Sequence, residues 1–219
     1  MVGKKNGLKQ SPSSSMRKNS HQITSSASFN KAYYSTDGYD DYLAKFRKEG
    51  QQTVLRLIKA IDPDPGWHFL DISCGMGGVI LALRKLGFKS WGTEISPYCL
   101  KHSPAKKWIK SENVCQLSYE DSSFDVVICM DVFCYLNKEE ALQASKELVR
   151  IAKHYLYIES VCRGSSNSSQ RSNPDLLRKD EDLLTAGEIK RMFENNKTLF
   201  LKPLYPKNES QDFSGIFVK

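Results

Sequence analysis

The side chains with the clearest chemical meaning in this 219-residue chain sit around three closely spaced glycines, in the stretch Phe69-Leu-Asp-Ile-Ser-Cys-Gly-Met-Gly-Gly78. An apolar run ends in an acid, Asp71, and is followed by the glycines and then by a helical pattern. Gly75 and Gly77 allow a tight turn and let a ligand lie against the main chain, while the first amides of the following helix face that ligand. Asp71 is placed to reach the loop or, through water, the ammonium of a ligand. Glu94, 23 residues further on, closes a second apolar run. A carboxylate at that point accepts the hydroxyls of a ribose. A Gly-x-Gly alone also occurs in βα turns that bind nothing; the acid at a second strand end tips the reading towards a nucleoside. A dinucleotide site needs a third Gly or Ala three residues after the second glycine, and Ile80 stands there.

The elements that must hold these groups follow from periodicity. Residues 68–73 read as a strand entering the loop, 79–86 as a helix stopped by Gly87, 90–95 as a second strand, 97–109 as a helix and 114–117 as a short third strand. Phe124–Met130 (FDVVICM) and Tyr155–Val161 are apolar runs of the kind buried on both faces, separated by a helix over 138–153. Such alternation implies a parallel sheet with right-handed crossovers. Ahead of it, 39–61 suggests one helix, or two with a break at Gly50. After it come a polar stretch, 163–184, a helix over 185–195 with Thr185 as N-cap and Glu188 in the capping-box position, and two strands, 198–205 and 213–219, near enough to pair as a hairpin.

Residues 66–161 resemble the class I S-adenosylmethionine-dependent methyltransferases, type 11/25 group. The family's acid-x-Gly-x-Gly-x-Gly motif is met by Asp71, Gly75 and Gly77, with Ser73 in place of its first glycine. Glu94 matches the ribose-binding acid. Asn113-Val-Cys-Gln-Leu-Ser-Tyr119 looks like the family's Asp-Ala-x-x-Leu-Pro-Phe, so Asn113 stands where an aspartate contacts the adenine amino group; its amide oxygen can accept the same bond. Ser123-Phe-Asp-Val-Val127 is similar to the lead into the fourth strand, and Asp131-Val-Phe-Cys-Tyr135 follows that strand. The resemblance implies a Rossmann-like, doubly wound, mostly parallel seven-stranded sheet with a C-terminal antiparallel hairpin strand. It also implies S-adenosylmethionine as cofactor, held by Asp71, Ser73, Gly75, Gly77, Glu94 and Asn113. No metal is expected.

For the reacting end the residues leave alternatives. Asp131 lies near the methionine portion or the acceptor, or else is a helix N-cap or loop hydrogen bond. Tyr135 stands where many small-molecule members carry a histidine; it orients substrate or lines the pocket, or it merely packs. No histidine suits a general base: His21 is in the N-terminal stretch, His68 and His154 are at strand starts, and His102 is on a helix. The expected acceptor is a small molecule. An RNA acceptor is the second reading and a catalytically silent partner subunit the third; no Asn/Asp-Pro-Pro-aromatic motif follows the fourth strand.

Composition bounds the rest. Net charge is +7, of which residues 1–30 supply +5 through Lys4, Lys5, Lys9, Arg17 and Lys18 without an acid; the other 189 residues are nearly balanced, and nucleic acid is not an expected partner. The Ser-rich residues 1–30 read as a disordered tail, 31–65 as a helical cap, 66–161 as the core, 162–184 as a variable insertion and 185–219 as a closing helix and hairpin. The aromatic cluster Tyr33, Tyr34, Tyr39 and Tyr42 reads as a lid or as the apolar side of a docking helix. Six cysteines without a CxxC argue against zinc or a disulfide framework. With no span of about 18 apolar residues and no apolar leader region, a cytoplasmic enzyme is expected; the acid-free N-terminal stretch also has a transit-peptide character.

Overall fold

A computed structural model describes residues 26–35, 42–165, 179–205 and 212–219. Its centre is the two runs that lack polar alternation. Strands β4 (Phe124–Met130) and β5 (Ala152–Ser160) pair in parallel in the middle of a seven-stranded sheet. Around them stand β1 (His68–Ile72), β2 (Lys89–Glu94), β3 (Ile109–Ser111), β6 (Leu199–Lys202) and β7 (Phe213–Val218). The order is β3-β2-β1-β4-β5-β7-β6. All neighbours are parallel except β7, which runs antiparallel to both β5 and β6 and forms the expected hairpin with β6. From β1 the chain winds outward through β2 and β3, then returns to β4 on the other side. The split between β1 and β4 is therefore the switch point, where open α/β sheets hold ligands outside the strands' carboxyl ends.

Helices cover both faces. α1 (Tyr42–Ile61) and α2 (Gly78–Lys85) bury Val54, Leu57, Val79 and Leu83 against Phe69, Val126, Ile128 and Tyr157. α4 (Lys138–Ile151) and α5 (Ala186–Glu194) bury Ala144, Leu148, Ile189 and Phe193 on the opposite face. Both are fixed at their starts by reciprocal capping boxes, Asn137 with Glu140 and Thr185 with Glu188. Among the described residues no helix is long and apolar enough to cross a membrane.

One open alternative is decided and two expectations are corrected. Gly50 does not break the first helix: α1 runs through it, and a Cβ there would stand 2.7 Å from the carbonyl carbon of Gly78. The missing side chain serves close helix approach, not a break. The helix expected over 97–109 stops at His102 as α3 (Pro97–His102), and a short 3-10 turn, Lys106–Trp108, leads straight into β3. The third strand is consequently Ile109–Ser111, not 114–117. Residues 113–116 form a tight turn instead, with Asn113 Oδ1 accepting from the Cys115 amide at 2.8 Å and the Asn113 carbonyl accepting from the Gln116 amide at 3.0 Å. Val114 and Leu117 are apolar because the turn packs them into the α4-side core.

Candidate active site

The loop after β1 owes its shape to backbone conformations that L residues rarely adopt. Ser73, Gly75 and Gly77 have φ of 53°, 53° and 76°, so the left-handed region recurs at every second residue. Ser73 thus takes the conformation that a glycine would take more cheaply. At Gly77 space matters as well, since a Cβ would lie 2.4 Å from the Ala105 Cβ. Ser103, from the α3–β3 connection, ties the loop down through a hydrogen bond from its hydroxyl to the Met76 carbonyl at 3.0 Å. The Cys74 amide donates to the Thr93 carbonyl of β2 at 2.9 Å, which brings the loop against the second strand.

Glu94 faces this loop. Its Oε2 accepts from the Gly75 amide at 2.7 Å, and its Oε1 accepts from the amides of Ile95 and Ser96, both at 2.8 Å. The carboxylate is only 5% exposed. Burial pushes its pKa up, against the opposing pull of those three amides. Asp71 lies at the end of β1, 3% exposed, and its carboxylate has no hydrogen bond among the described residues. Burial, and secondarily the charge of Glu94, hold its pKa well above the carboxylate range. Two buried carboxylates therefore border a glycine turn, and among the described residues no cation pairs with either. A group carrying positive charge and hydroxyl donors is the complement of this pair.

Asn113 is separate from the pair. It lines a cleft of about 420 Å³ with Ile95, Pro97, Leu100, Ser111, Glu112 and Ser26. The walls come from the ends of β2 and β3 and from α3. One lone pair of Asn113 Oδ1 is already engaged by the Cys115 amide.

Beyond β4, Asp131 is exposed, with φ of 54°, and its amide donates to the Glu159 carbonyl of β5 at 2.9 Å. It is not the N-cap of α4, which is Asn137. Tyr135 is half-buried, and its hydroxyl lies 2.9 Å from that of Tyr33. Phe29 packs its ring edge-on to both Tyr33 and Tyr135, and its carbonyl accepts from the Ser96 hydroxyl at 2.6 Å. Tyr34 stacks on Tyr98 at 5.3 Å. Residues 26–35 accordingly bridge the two banks of the crevice, from the β2 end to the β4 end. The tail boundary expected at residue 30 falls inside this docked segment; residues 1–25 lie outside the described residues, as does Tyr39. His68 and His154 stand at strand starts as expected, and His102 is exposed.

Sequence reasoning missed Ser96, Ser103 and Phe29. For Ser96 a signal existed: Ser-Pro ahead of an apolar pattern is a helix start, and Ser96 does cap α3, its hydroxyl accepting from the Cys99 amide at 3.2 Å. Ser103 and Phe29 act through single contacts that leave no periodic trace.

A family profile described as a methyltransferase domain matches residues 70–156, which run from β1 into β5 and include the loop, Glu94, Asn113, Asp131 and Tyr135. Over that stretch the chain is similar to methyltransferase domains. The sheet order and the solved structures that share it are those of a Rossmann-like fold. None of the curated proteins matches the chain. Among solved structures, the fold is similar to the PH0226 protein from Pyrococcus horikoshii OT3 at a TM-score of 0.65 and 18% identity, covering 86% of this chain and 98% of that one. It is also similar to magnesium protoporphyrin IX methyltransferase from Synechocystis PCC 6803 with bound SAH, at 0.64 and 20%, covering 86% and 91%. The [4+2]-cyclase SpnF is similar at 0.53 and 18%, covering 70% and 58%. A methyltransferase and a cyclase on one fold show that the sheet leaves the acceptor chemistry open.

Proposed function

We propose that the chain transfers the methyl group of S-adenosylmethionine to a small-molecule acceptor, with Asp71, Ser73, Gly75, Gly77, Glu94 and Asn113 holding the cofactor and Asp131 and Tyr135 facing the acceptor. The observation that carries this reading is the buried Asp71 carboxylate, without a hydrogen bond among the described residues, near Glu94 and followed by a turn of alternating left-handed residues. Asp71 answers the ammonium of the methionine portion, directly or through water. Glu94 answers the ribose through the remaining capacity of Oε2, and Asn113 edges the cleft for the adenine.

When bound, the cofactor supplies an electrophilic methyl carbon on a sulfonium. The chain's own contribution is alignment and exclusion of water. The glycine turn and the two acids fix the nucleoside on the β1–β2 side, and residues 26–35 close over it by reaching Tyr135. Tyr135 and Tyr33 orient the acceptor through their hydroxyls. Asp131, exposed beside the β4 end, takes the proton that an oxygen or nitrogen acceptor sheds, directly or through water. The aromatic mouth of Phe29, Tyr33 and Tyr135 suits a compact acceptor.

Titration calorimetry with S-adenosylmethionine and S-adenosylhomocysteine tests the cofactor site: submillimolar binding that is lost in Glu94→Ala is expected, and absence of binding by either ligand overturns the proposal. A screen of acceptors with labelled methyl donor then tests the acceptor class.

A further inference from the structure

The near-balance of charge outside the N-terminal stretch hides a strong polarity. Residues 84–111 hold seven basic side chains, Arg84, Lys85, Lys89, Lys101, Lys106, Lys107 and Lys110, against one acid, Glu94. That acid is buried and spent on three amides. Since residues 31–219 carry +2, the remainder of the body is net acidic and this one segment is +6.

The fold keeps the charges together on one edge. They come from the end of α2, the start of β2, the last turn of α3, the Lys106–Trp108 turn and β3, the outermost strand. Trp108 fastens the group: the Arg84 guanidinium lies 4.0 Å from its ring centroid and the Lys107 ammonium 4.2 Å. Arg84 is itself fixed by two hydrogen bonds to the Ser90 carbonyl, at 3.1 and 2.7 Å. Lys110 pairs with Glu112 at 2.6 Å. Lys85, Lys89, Lys101, Lys106 and Lys107 are all exposed, and among the described residues no carboxylate pairs with them. The bland explanation, cations complementing a helix C-terminus, accounts for Lys85 and Lys101 only. Lys89, Lys106 and Lys107 lie outside any α-helix.

We infer that this edge is a docking surface for the phosphate backbone of single-stranded RNA. Five exposed ammonium groups, none with a carboxylate partner among the described residues, complement the successive negative charges of a phosphate backbone. A membrane surface fits less well, because the aromatic ring in the patch is covered by Arg84 and Lys107 and is not free to insert. Duplex DNA fits less well too, since the only α-helix wholly inside the patch, α3, has six residues and is too short to lie along a major groove. The surface is three strand positions from β4 and is independent of the methyl-transfer reading; it locates the protein on RNA and requires no particular acceptor.

The test uses the full chain and a fluorescein-labelled single-stranded RNA 20-mer of mixed sequence, with anisotropy followed across a KCl series. Wild type binds, and log K falls linearly with log salt. In Lys101→Ala/Lys106→Ala/Lys107→Ala the slope drops by about 2, from three lost phosphate contacts at ~0.7 each, and affinity near 0.15 M salt falls at least tenfold. S-adenosylhomocysteine binding and the melting temperature stay at wild-type values, which reads out the fold separately. Three results overturn the inference: no RNA binding by wild type, an unchanged slope in the triple variant (the N-terminal lysines then carry the affinity), or a loss confined to phosphatidylserine vesicles or polyglutamate while RNA binding persists.

Discussion

Asp71→Asn separates cofactor recognition from fold stability, because the two pull in opposite directions at this residue. In the free protein a carboxylate that is 3% exposed has no hydrogen bond among the described residues and lies near the charge of Glu94. Its pKa is raised, so the folded state binds the Asp71 proton more tightly than the unfolded chain does. The associated stability is fully present below the unfolded pKa and is lost as pH rises through the higher folded value, above which the ionised side chain opposes folding. Asparagine removes the charge but keeps the shape, leaving a smaller desolvation cost. We expect the free protein to gain about 1–2 kcal/mol, a rise in melting temperature of about 2–8 °C for a chain of this length. Cofactor binding changes in the other sense: losing one charge-assisted hydrogen bond costs about 1.5–3 kcal/mol, roughly a 10- to 150-fold weaker Kd. Wild-type affinity also falls as the pH drops through the raised Asp71 pKa, and the asparagine variant loses that part of the pH dependence. Scanning fluorimetry of the free protein and calorimetry with S-adenosylhomocysteine at several pH values measure all three quantities. An Asp71→Asn protein that melts lower than wild type, or that keeps its affinity within twofold, refutes the reasoning.

Three further substitutions test other parts of the structure. Gly50→Ala sets a Cβ 2.7 Å from the Gly78 carbonyl carbon and 2.8 Å from the Val79 nitrogen, both backbone atoms, so chemical denaturation should show a loss of about 1–3 kcal/mol; an unchanged midpoint would mean that α1 and α2 separate freely. Ser73→Gly relieves a left-handed φ of 53° and should change stability by less than about 1 kcal/mol, because the gain in backbone ease is offset by a more flexible unfolded chain. Its S-adenosylhomocysteine affinity should stay within threefold, and a larger loss in calorimetry would give the serine hydroxyl a direct part in binding. Tyr33→Phe removes one hydroxyl of the 2.9 Å pair with Tyr135 and should lower kcat severalfold in an acceptor assay with cofactor Kd unchanged; equal changes in kcat and cofactor Kd would place Tyr33 at the nucleoside instead.

The parts of the fold that were legible in the sequence are those written in repeated patterns. The continuous apolar runs at Phe124–Met130 and in β5 gave the buried strands, and Thr185 with Glu188 gave the start of α5 to the residue. β3 was misplaced because it has three residues, two of them exposed, while the neighbouring Val114–Leu117 turn is more apolar for a reason unrelated to pairing. The choice between one helix and two at Gly50 stayed open because helix propensity describes one helix at a time, whereas the approach of Gly78 belongs to two. In the site, Asp71, Gly75, Gly77 and Glu94 come together as their spacing suggested. The docking of residues 26–35 could not be read, since it depends on Phe29 and Tyr33 meeting Ser96 and Tyr135 from distant parts of a polar segment. Charge was legible in total but not in distribution until β2, β3 and α3 had been placed side by side.

Glu94 also answers how a single acid can serve both loop and ligand. Oε1 accepts two amides and is saturated, while Oε2 accepts the Gly75 amide and keeps one lone pair for a ribose hydroxyl. The expectation that this carboxylate receives both hydroxyls thus requires the Gly75 amide to release Oε2, and without that release one hydroxyl must find a partner elsewhere. Glu94→Gln isolates the point. A glutamine can still present its oxygen to Ile95 and Ser96, but its amide nitrogen then confronts the Gly75 N–H, donor against donor. Leaving that buried pair unsatisfied costs about 1–3 kcal/mol, about 2–12 °C in melting temperature. The ribose contact is lost at the same time, so S-adenosylhomocysteine should bind about 10- to 100-fold more weakly, a comparable 1.4–2.8 kcal/mol. If calorimetry finds Glu94→Gln within twofold of wild type while its melting temperature falls, the carboxylate only braces the loop, and nucleoside recognition rests on the cleft between β2 and β3.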